Sequence, residues 1–408
     1  MLTRIRLFCI VLALTATAAI AKAQDADDKL IGPVSDPSVE LMAHCARYIG
    51  EYHGWHYVLY NAGYNTTKEH PKNLDIDLKL SRWKGEDIEH REVSRIWYTG
   101  KGITDDFRPP YDPSGIIVGS TMHILFCPGV DGHAAYVHVP YDLKKQALGK
   151  EEVMTLDGKE ITVANVLENY KQRTGIAIPW FSDGGAKTAF GIGMNVGIPR
   201  HGKYYYCVLS ALAGGFTAMI VRSEDLVHWE TVTVADLSSV KSGATFWEGA
   251  VHPLHGDIFA FTTRVQSQDG VVYGTWNAAT GELSNLQLVE GGITARPEFF
   301  EYKGSTYLFC NTYGPSNVDG YGSVYRATAS FFRISPDGAS LEYVRSKFVP
   351  EGIHYPTFFV SPGCRLFRRC HRGDRLYIIY STDARRLDHL EARSNIALEK
   401  LVIPDPAP

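Results

Sequence analysis

The chain has 408 residues, 45% hydrophobic and 21% charged, with a formal net charge of −4. That composition excludes a disordered or fibrous protein. Aromatic residues make up 12%, and 38 Gly and 20 Pro stand against 6 Met, a balance that favours strands joined by many turns.

The N-terminus reads as a targeting segment. Arg4 and Arg6 precede an apolar run, Leu7 to Ile20, and Ala21-Lys22-Ala23 supplies a small-x-small cleavage site. Residues 1–23 are therefore expected to be a signal peptide, and residues 24–408 an exported chain, secreted or periplasmic. The competing reading is an uncleaved anchor. No other run is a candidate membrane span, so no membrane contact is expected after cleavage. Removing residues 1–23 takes away three cations and no acid, which brings the net charge to −7. So acidic a chain is a poor nucleic-acid binder, although a few arginines can still build a local anion site. Cys9 leaves with the signal; of the six that remain, only Cys364 and Cys370 are close enough in sequence to suggest a local disulfide.

A strand pattern then recurs along the chain: His56–Tyr60, His123–Cys127, Lys203–Cys207, Ile258–Thr262, Thr306–Cys310 and Leu376–Tyr380, about 64 residues apart on average. Each run is aromatic or β-branched and reads as a buried strand. Upstream of each lies a second recurring element, opened by Asp36, Asp112, Asn195, Glu248, Arg296 and Tyr355. Downstream come further strands, separated by turns such as Asp337-Gly338. The segment Leu143–Arg173 is polar and reads as an excursion with a short helix at Thr162–Gln172. Six strand-rich copies predict an all-β fold, a single β-propeller of six blades, with five to seven allowed by the spacing. The alternative is a smaller propeller plus a sandwich. In a propeller the first strand of each blade lines the central channel, so the six opening residues would face one mouth.

Three carboxylates around one mouth suit glycoside hydrolysis, which needs an acid for the leaving oxygen and a second carboxylate to attack or to activate water. Glu248, between Trp247 and Gly249, is expected to be the acid, its pKa raised by aromatic neighbours. Asp36 is the expected base or nucleophile and Asp112 the helper. Asn195, Arg296, His354, Tyr355 and His133 are the expected substrate-binding residues: Arg296 suits an acidic sugar, and Tyr355 a nucleophile, proton donor or stacking face. The blander readings are an Asp-Pro turn for each Asp, a solvated strand end for Glu248, a salt bridge for Arg296 and plain packing for Tyr355 and the histidines. No cofactor is expected. Cys364, Cys370 and His371 with His252 or His255 lack the spacing of a standard zinc site, and a structural zinc or calcium ranks low. Cys127, Cys207 and Cys310 sit at equivalent repeat positions and read as small buried apolar residues.

Ser223-x-Asp225-Leu226-x-His228-Trp229 resembles the Ser-x-Asp-Leu-x-x-Trp turn of propeller glycosidases and is similar to a shortened sialidase Asp-box. Asp36-Pro-Ser-Val resembles the opening strand of arabinanase/xylosidase-type hydrolases. That resemblance implies Asp36 as base, Asp112 as the residue that tunes the acid, and Glu248 as acid. The last two units, with Arg296-Pro and Tyr355-Pro-Thr, are instead similar to sialidase-type propellers, although the first unit carries no Arg-Ile-Pro. Rhamnoglycan-degrading propeller lyases and rhamnosidases are similar in style. The resulting expectation is an exported glycoside hydrolase that acts on plant or algal polysaccharide. The alternatives are a lyase that β-eliminates at a uronate through His133, Tyr355 and Arg296, and a non-catalytic sugar-binding propeller.

Overall fold

The computed structural model describes residues 28–36, 40, 42–65, 74–98, 111–128, 135–178, 190–194, 197–212, 215–242, 244–265, 270–290, 296–312, 326–349, 352–362, 373–382 and 395–404. The expected signal peptide, His133, Asn195, Cys364 and Cys370 lie outside these residues.

The recurring runs form the second strands of six antiparallel sheets. Blade 1 is Met42–Tyr52, Trp55–Asn65, Leu74–Lys84 and Asp87–Tyr98 in simple up-and-down order. Blade 2 opens with Tyr111–Val118 and Thr121–Cys127, and blade 3 with Phe190–Gly193 and Tyr204–Leu212. Blade 4 opens with Phe246–His255 and Ile258–Val265, blade 5 with Glu298–Tyr302 and Ser305–Thr312, and blade 6 with His354–Ser361 and Arg375–Ser381. First strands of neighbouring blades touch around the ring, with the second strand of blade 3 meeting the first of blade 4. This is a six-bladed β-propeller with the first strands at its centre.

Face-to-face blades explain the strand sequences. A blade between two others is covered on both faces, so its middle strands read as nearly continuous apolar runs. Ile258–Val265, IFAFTTRV, is buried at every position but the first. Apolar layers fill the spaces between blades: Phe359, Tyr377, Trp83 and Tyr60 between blades 6 and 1, and Leu59, Leu80, Ile124 and Phe126 between blades 1 and 2.

The excursion after blade 2 adds edge strands. Glu152–Val153 pairs with blade 2, and Thr155–Leu156 runs parallel to His228–Trp229 at the rim of blade 3. The helix spans Val163–Thr174 (α1). Thr162 caps it by accepting from Asn165 N at 3.2 Å, and Gly175 ends it in the left-handed region. The Ser223–Trp229 turn is structural. Ser223 Oγ accepts from Leu226 N, Asp225 Oδ1 accepts from the N–H groups of Val227 and His228, and Trp229 Nε1 donates to Leu226 O.

The ring is closed by the start of the chain. Strand Lys29–Pro33 pairs with Ile396–Leu401 and becomes the outermost strand of blade 6. A buried ionic knot holds this seam. Asp28 takes a bidentate bond from Arg345 (2.9 and 3.2 Å), an ion pair from Lys347 (3.2 Å) and the N–H of Val402 (3.0 Å). Lys347 also reaches Glu399 at 2.9 Å, which accepts from Tyr380 Oη at 2.6 Å.

Candidate functional site

The mouth is built by one backbone device repeated in different blades. The first strand of blade 4 pairs Trp247 with Arg264 and then Ala250 with Thr262, so Glu248 and Gly249 bulge out of register. Blade 6 does the same at Tyr355-Pro356, blade 2 at Asp112-Pro113 and blade 1 at Cys45-Ala46. In blade 5 Arg296-Pro297 occupies the equivalent place, directly ahead of the Glu298–Phe309 pair. A bulge turns the residue out of the ladder and re-aims its side chain. Glu248, Tyr355 and Cys45 adopt left-handed backbone at φ 48°, 49° and 55°, a conformation that costs a non-glycine residue about 1 kcal/mol or more. Gly249 completes the blade 4 bulge. A Cβ there would stand 2.5 Å from the Val208 side chain and 3.0 Å from Thr262 O.

Four of the six opening residues named from the sequence thus share one structural position: Asp112, Glu248, Arg296 and Tyr355. Asp36 does not. It lies between the closing strand and the first strand of blade 1, where its N–H donates to Glu40 Oε2 at 2.9 Å, and its counterpart on that blade is Cys45. The misalignment has a simple cause: Asp36-Pro-Ser copies Asp112-Pro-Ser, whereas Cys45-Ala carries no turn residue. Asn195 and His133 fall outside the described residues.

Glu248 is buried, and Arg264 Nη1 donates to its Oε2 at 2.6 Å while the N–H of Arg296 donates to the same oxygen at 3.0 Å. Burial alone would raise its pKa. The charges of Arg264 and Arg326 and these hydrogen bonds together outweigh burial and hold it below the usual glutamate range. The direction is opposite to the raised pKa expected from the aromatic neighbours, because the arginines outweigh burial.

Tyr355 lies against two guanidinium groups, its ring centre 5.5 Å from Arg296 Cζ and 5.7 Å from Arg326 Cζ. The His44 ring meets it edge-on at 4.6 Å, and the His44 Nδ1 contacts Cys45 Sγ at 2.8 Å. Arg326 Nη1 is 3.1 Å from Nδ1 of His354. Arg264 stacks over the Trp247 ring at 5.1 Å. Arg296, expected to be a substrate ligand, has no exposed surface in this structure. Its Nη2 donates to Ala46 O at 2.8 Å and to Tyr355 O at 3.1 Å.

Below this layer Arg47 of blade 1 pairs with Glu298 of blade 5, with Gly197 packed so close that a Cβ would stand 2.8 Å from Arg47 Nη2. Among the described residues of the mouth and channel, the guanidinium groups of Arg47, Arg264, Arg296 and Arg326 lie with the buried carboxylates of Glu248 and Glu298, and Asp112 holds the blade 2 bulge. Arg264 and Arg326 escaped the sequence reading because they sit on a second strand and ahead of a third. The available signal was an arginine, after Thr262 and Thr263, in the second-strand run Ile258–Val265. Cys127, Cys207 and Cys310 are all buried, and burial pushes the thiols of Cys207 and Cys310 up to about 12, away from the thiolate form that reacts.

Among solved structures, the Trypanosoma rangeli sialidase bound to the inhibitor DANA superposes with a TM-score of 0.54 at 11% identity, over 91% of this chain and 57% of that one. The same enzyme bound to 2,3-difluorosialic acid, described as a covalent intermediate, gives 0.51 at 11% identity over 88% and 54%. The fold is that of the sialidases. A Hadza microbial sialidase gives 0.50 at 12% identity, over 89% of this chain and 66% of that one. The chain spans little more than half the length of the Trypanosoma sialidase chains that it matches. No protein-family model and no curated protein matches it.

Proposed function

We propose that this chain is a glycoside hydrolase for glycans that carry an acidic sugar, with Tyr355 as nucleophile and Glu248 as its proton acceptor. The observation that carries the reading is Glu248. It is a buried carboxylate kept ionised by arginines and set on a left-handed bulge in the same ring layer as Tyr355. A phenol is a weak nucleophile at neutral pH and needs an adjacent base. Tyrosine is the nucleophile of sialidases, which depart from the usual carboxylate pair. In this reading the Tyr355 oxygen attacks the anomeric carbon and its proton passes to Glu248. The glycosidic bond breaks, and the leaving oxygen takes a proton from an acid, for which Asp112 on the blade 2 bulge is the candidate. Water then gives a proton to Asp112 as its oxygen attacks the same carbon, the bond from that carbon to Tyr355 breaks, and Glu248 returns its proton to the Tyr355 oxygen. Arg264 and Arg326 bring donors suited to the carboxylate of the sugar, and the positive excess of the mouth favours an anion there.

The test is an assay of the exported chain on sialosides, ulosonic-acid glycosides and uronate-containing polysaccharides. Reducing ends and the near-ultraviolet absorbance of unsaturated uronates are followed together. Tyr355→Phe and Glu248→Gln are each expected to lose about 10³-fold or more in kcat without loss of folding. A fully active Glu248→Gln, or absorbance that rises with the reducing ends, refutes the hydrolase and moves the chemistry to β-elimination.

A further inference from the structure

We infer that Arg296 is a positioning residue that locks the bulges of three blades into one register. The inference rests on the hydrolase reading above. Arg296 stands at the blade 5 place where other blades present Asp112, Glu248 and Tyr355, yet its side chain has no exposed surface. It turns sideways across the ring. One nitrogen, Nη2, bonds the carbonyl of Ala46 in the blade 1 bulge and the carbonyl of Tyr355 in the blade 6 bulge, at 2.8 and 3.1 Å. Its own N–H holds the Glu248 carboxylate of blade 4 at 3.0 Å.

The geometry explains why an arginine is needed. Left-handed Tyr355 and Cys45 are strained and persist only where their surroundings over-determine them. A bulge also withdraws backbone carbonyls from the ladder, and buried carbonyls need donors. The two N–H bonds of one Nη2 reach two such carbonyls from different blades, and the planar guanidinium fixes their directions, whereas a lysine ammonium rotates freely on a flexible stem. Arg47 beside it is engaged with Glu298, so it is no substitute. Through Arg296 the proposed nucleophile and its base are tied to one rigid group.

Arg296→Met and Arg296→Lys are compared with the unaltered chain on an acidic glycoside and on its methyl ester. Misplacing reacting groups by about 1 Å costs on the order of 100-fold in rate. Arg296→Met is expected to lose that much in kcat on both substrates, with KM changed by less than about threefold, and Arg296→Lys to recover part of it. A penalty confined to the acid, or a rise in its KM with kcat kept, makes Arg296 a carboxylate ligand and overturns the inference. If the unaltered chain cleaves neither substrate, the hydrolase reading fails. The inference is then read from crystal structures of the same variants. Tyr355 leaving the left-handed region in Arg296→Met, or in Arg296→Lys should the first not fold, upholds it; an unmoved Tyr355 overturns it.

Discussion

Replacing Asp28 by alanine removes the carboxylate that holds Arg345 and Lys347 at the seam where the ring closes. The side chains of Asp28 and Arg345 are only 3% and 2% exposed, so water cannot replace the lost partner. What remains is two buried cations against Glu399. Breaking a buried pair by deleting one member costs about 3–5 kcal/mol, far above a surface pair. At about 2.1 cal/mol/K per residue, a chain of this size unfolds with an entropy near 0.8 kcal/mol/K, so the expected fall in Tm is about 4–6 °C. Thermal unfolding at pH 7 followed by circular dichroism measures it. The double variant Asp28→Ala with Lys347→Met restores the charge balance and is expected to lose less than Asp28→Ala alone. Burial disfavours the charged Lys347, but Glu399 and Asp28 outweigh it and hold its pKa above the ordinary lysine value. The stabilisation from Lys347 is thus complete below that value and fades as pH rises past the raised one. A Tm change under 1 °C, or a double variant less stable than the single, refutes the knot as a stabilising element.

Glu298→Gln leaves the Arg47 guanidinium buried in the channel and is expected to cost about 3–5 kcal/mol, whereas replacing Arg47 and Glu298 together by methionine costs much less; denaturant titration decides. Burial first, and then the neighbouring His138, push His123 down to about 4. The unfolded chain therefore binds the extra proton below about pH 6.5, and stability falls as pH drops from there toward 4. In His123→Gln the difference in Tm between pH 7 and pH 5 is expected to shrink. Gly249→Ala forces Val208 aside and displaces Glu248, so activity is expected to fall by roughly 10- to 100-fold, with partial rescue by Val208→Ala; an unchanged rate discounts the tight bulge.

The ring was legible in the sequence because burial on both faces writes a continuous apolar signature into each second strand, as in His56–Tyr60 and Thr306–Cys310. The bulges were legible where proline or glycine marks them, at Asp112-Pro113, Glu248-Gly249, Arg296-Pro297 and Tyr355-Pro356. At Cys45-Ala46 nothing marks the same turn, so the expectation settled on Asp36, nine residues early. Protonation was out of reach for a different reason. Trp247 and Phe246 adjoin Glu248 in the chain and suggest an apolar pocket. The groups that set its charge, Arg264, Arg296 and Arg326, come from a hairpin partner and another blade, and only the assembled ring brings them together.

The pairing of Lys29 with Lys400 shapes how the molecule is made. A growing chain can build each meander from local hairpins, but the sixth cannot be finished until its last strand emerges and an early segment returns to it. Until then Ile396–Leu401 presents an unsatisfied edge, the kind of surface on which chains stick to one another. Closure across more than 360 residues is also a slow search, since non-local pairing governs folding speed. Yield during refolding should therefore depend steeply on protein concentration, and a synthetic copy of the strand Lys29–Pro33 supplied early would compete for that edge.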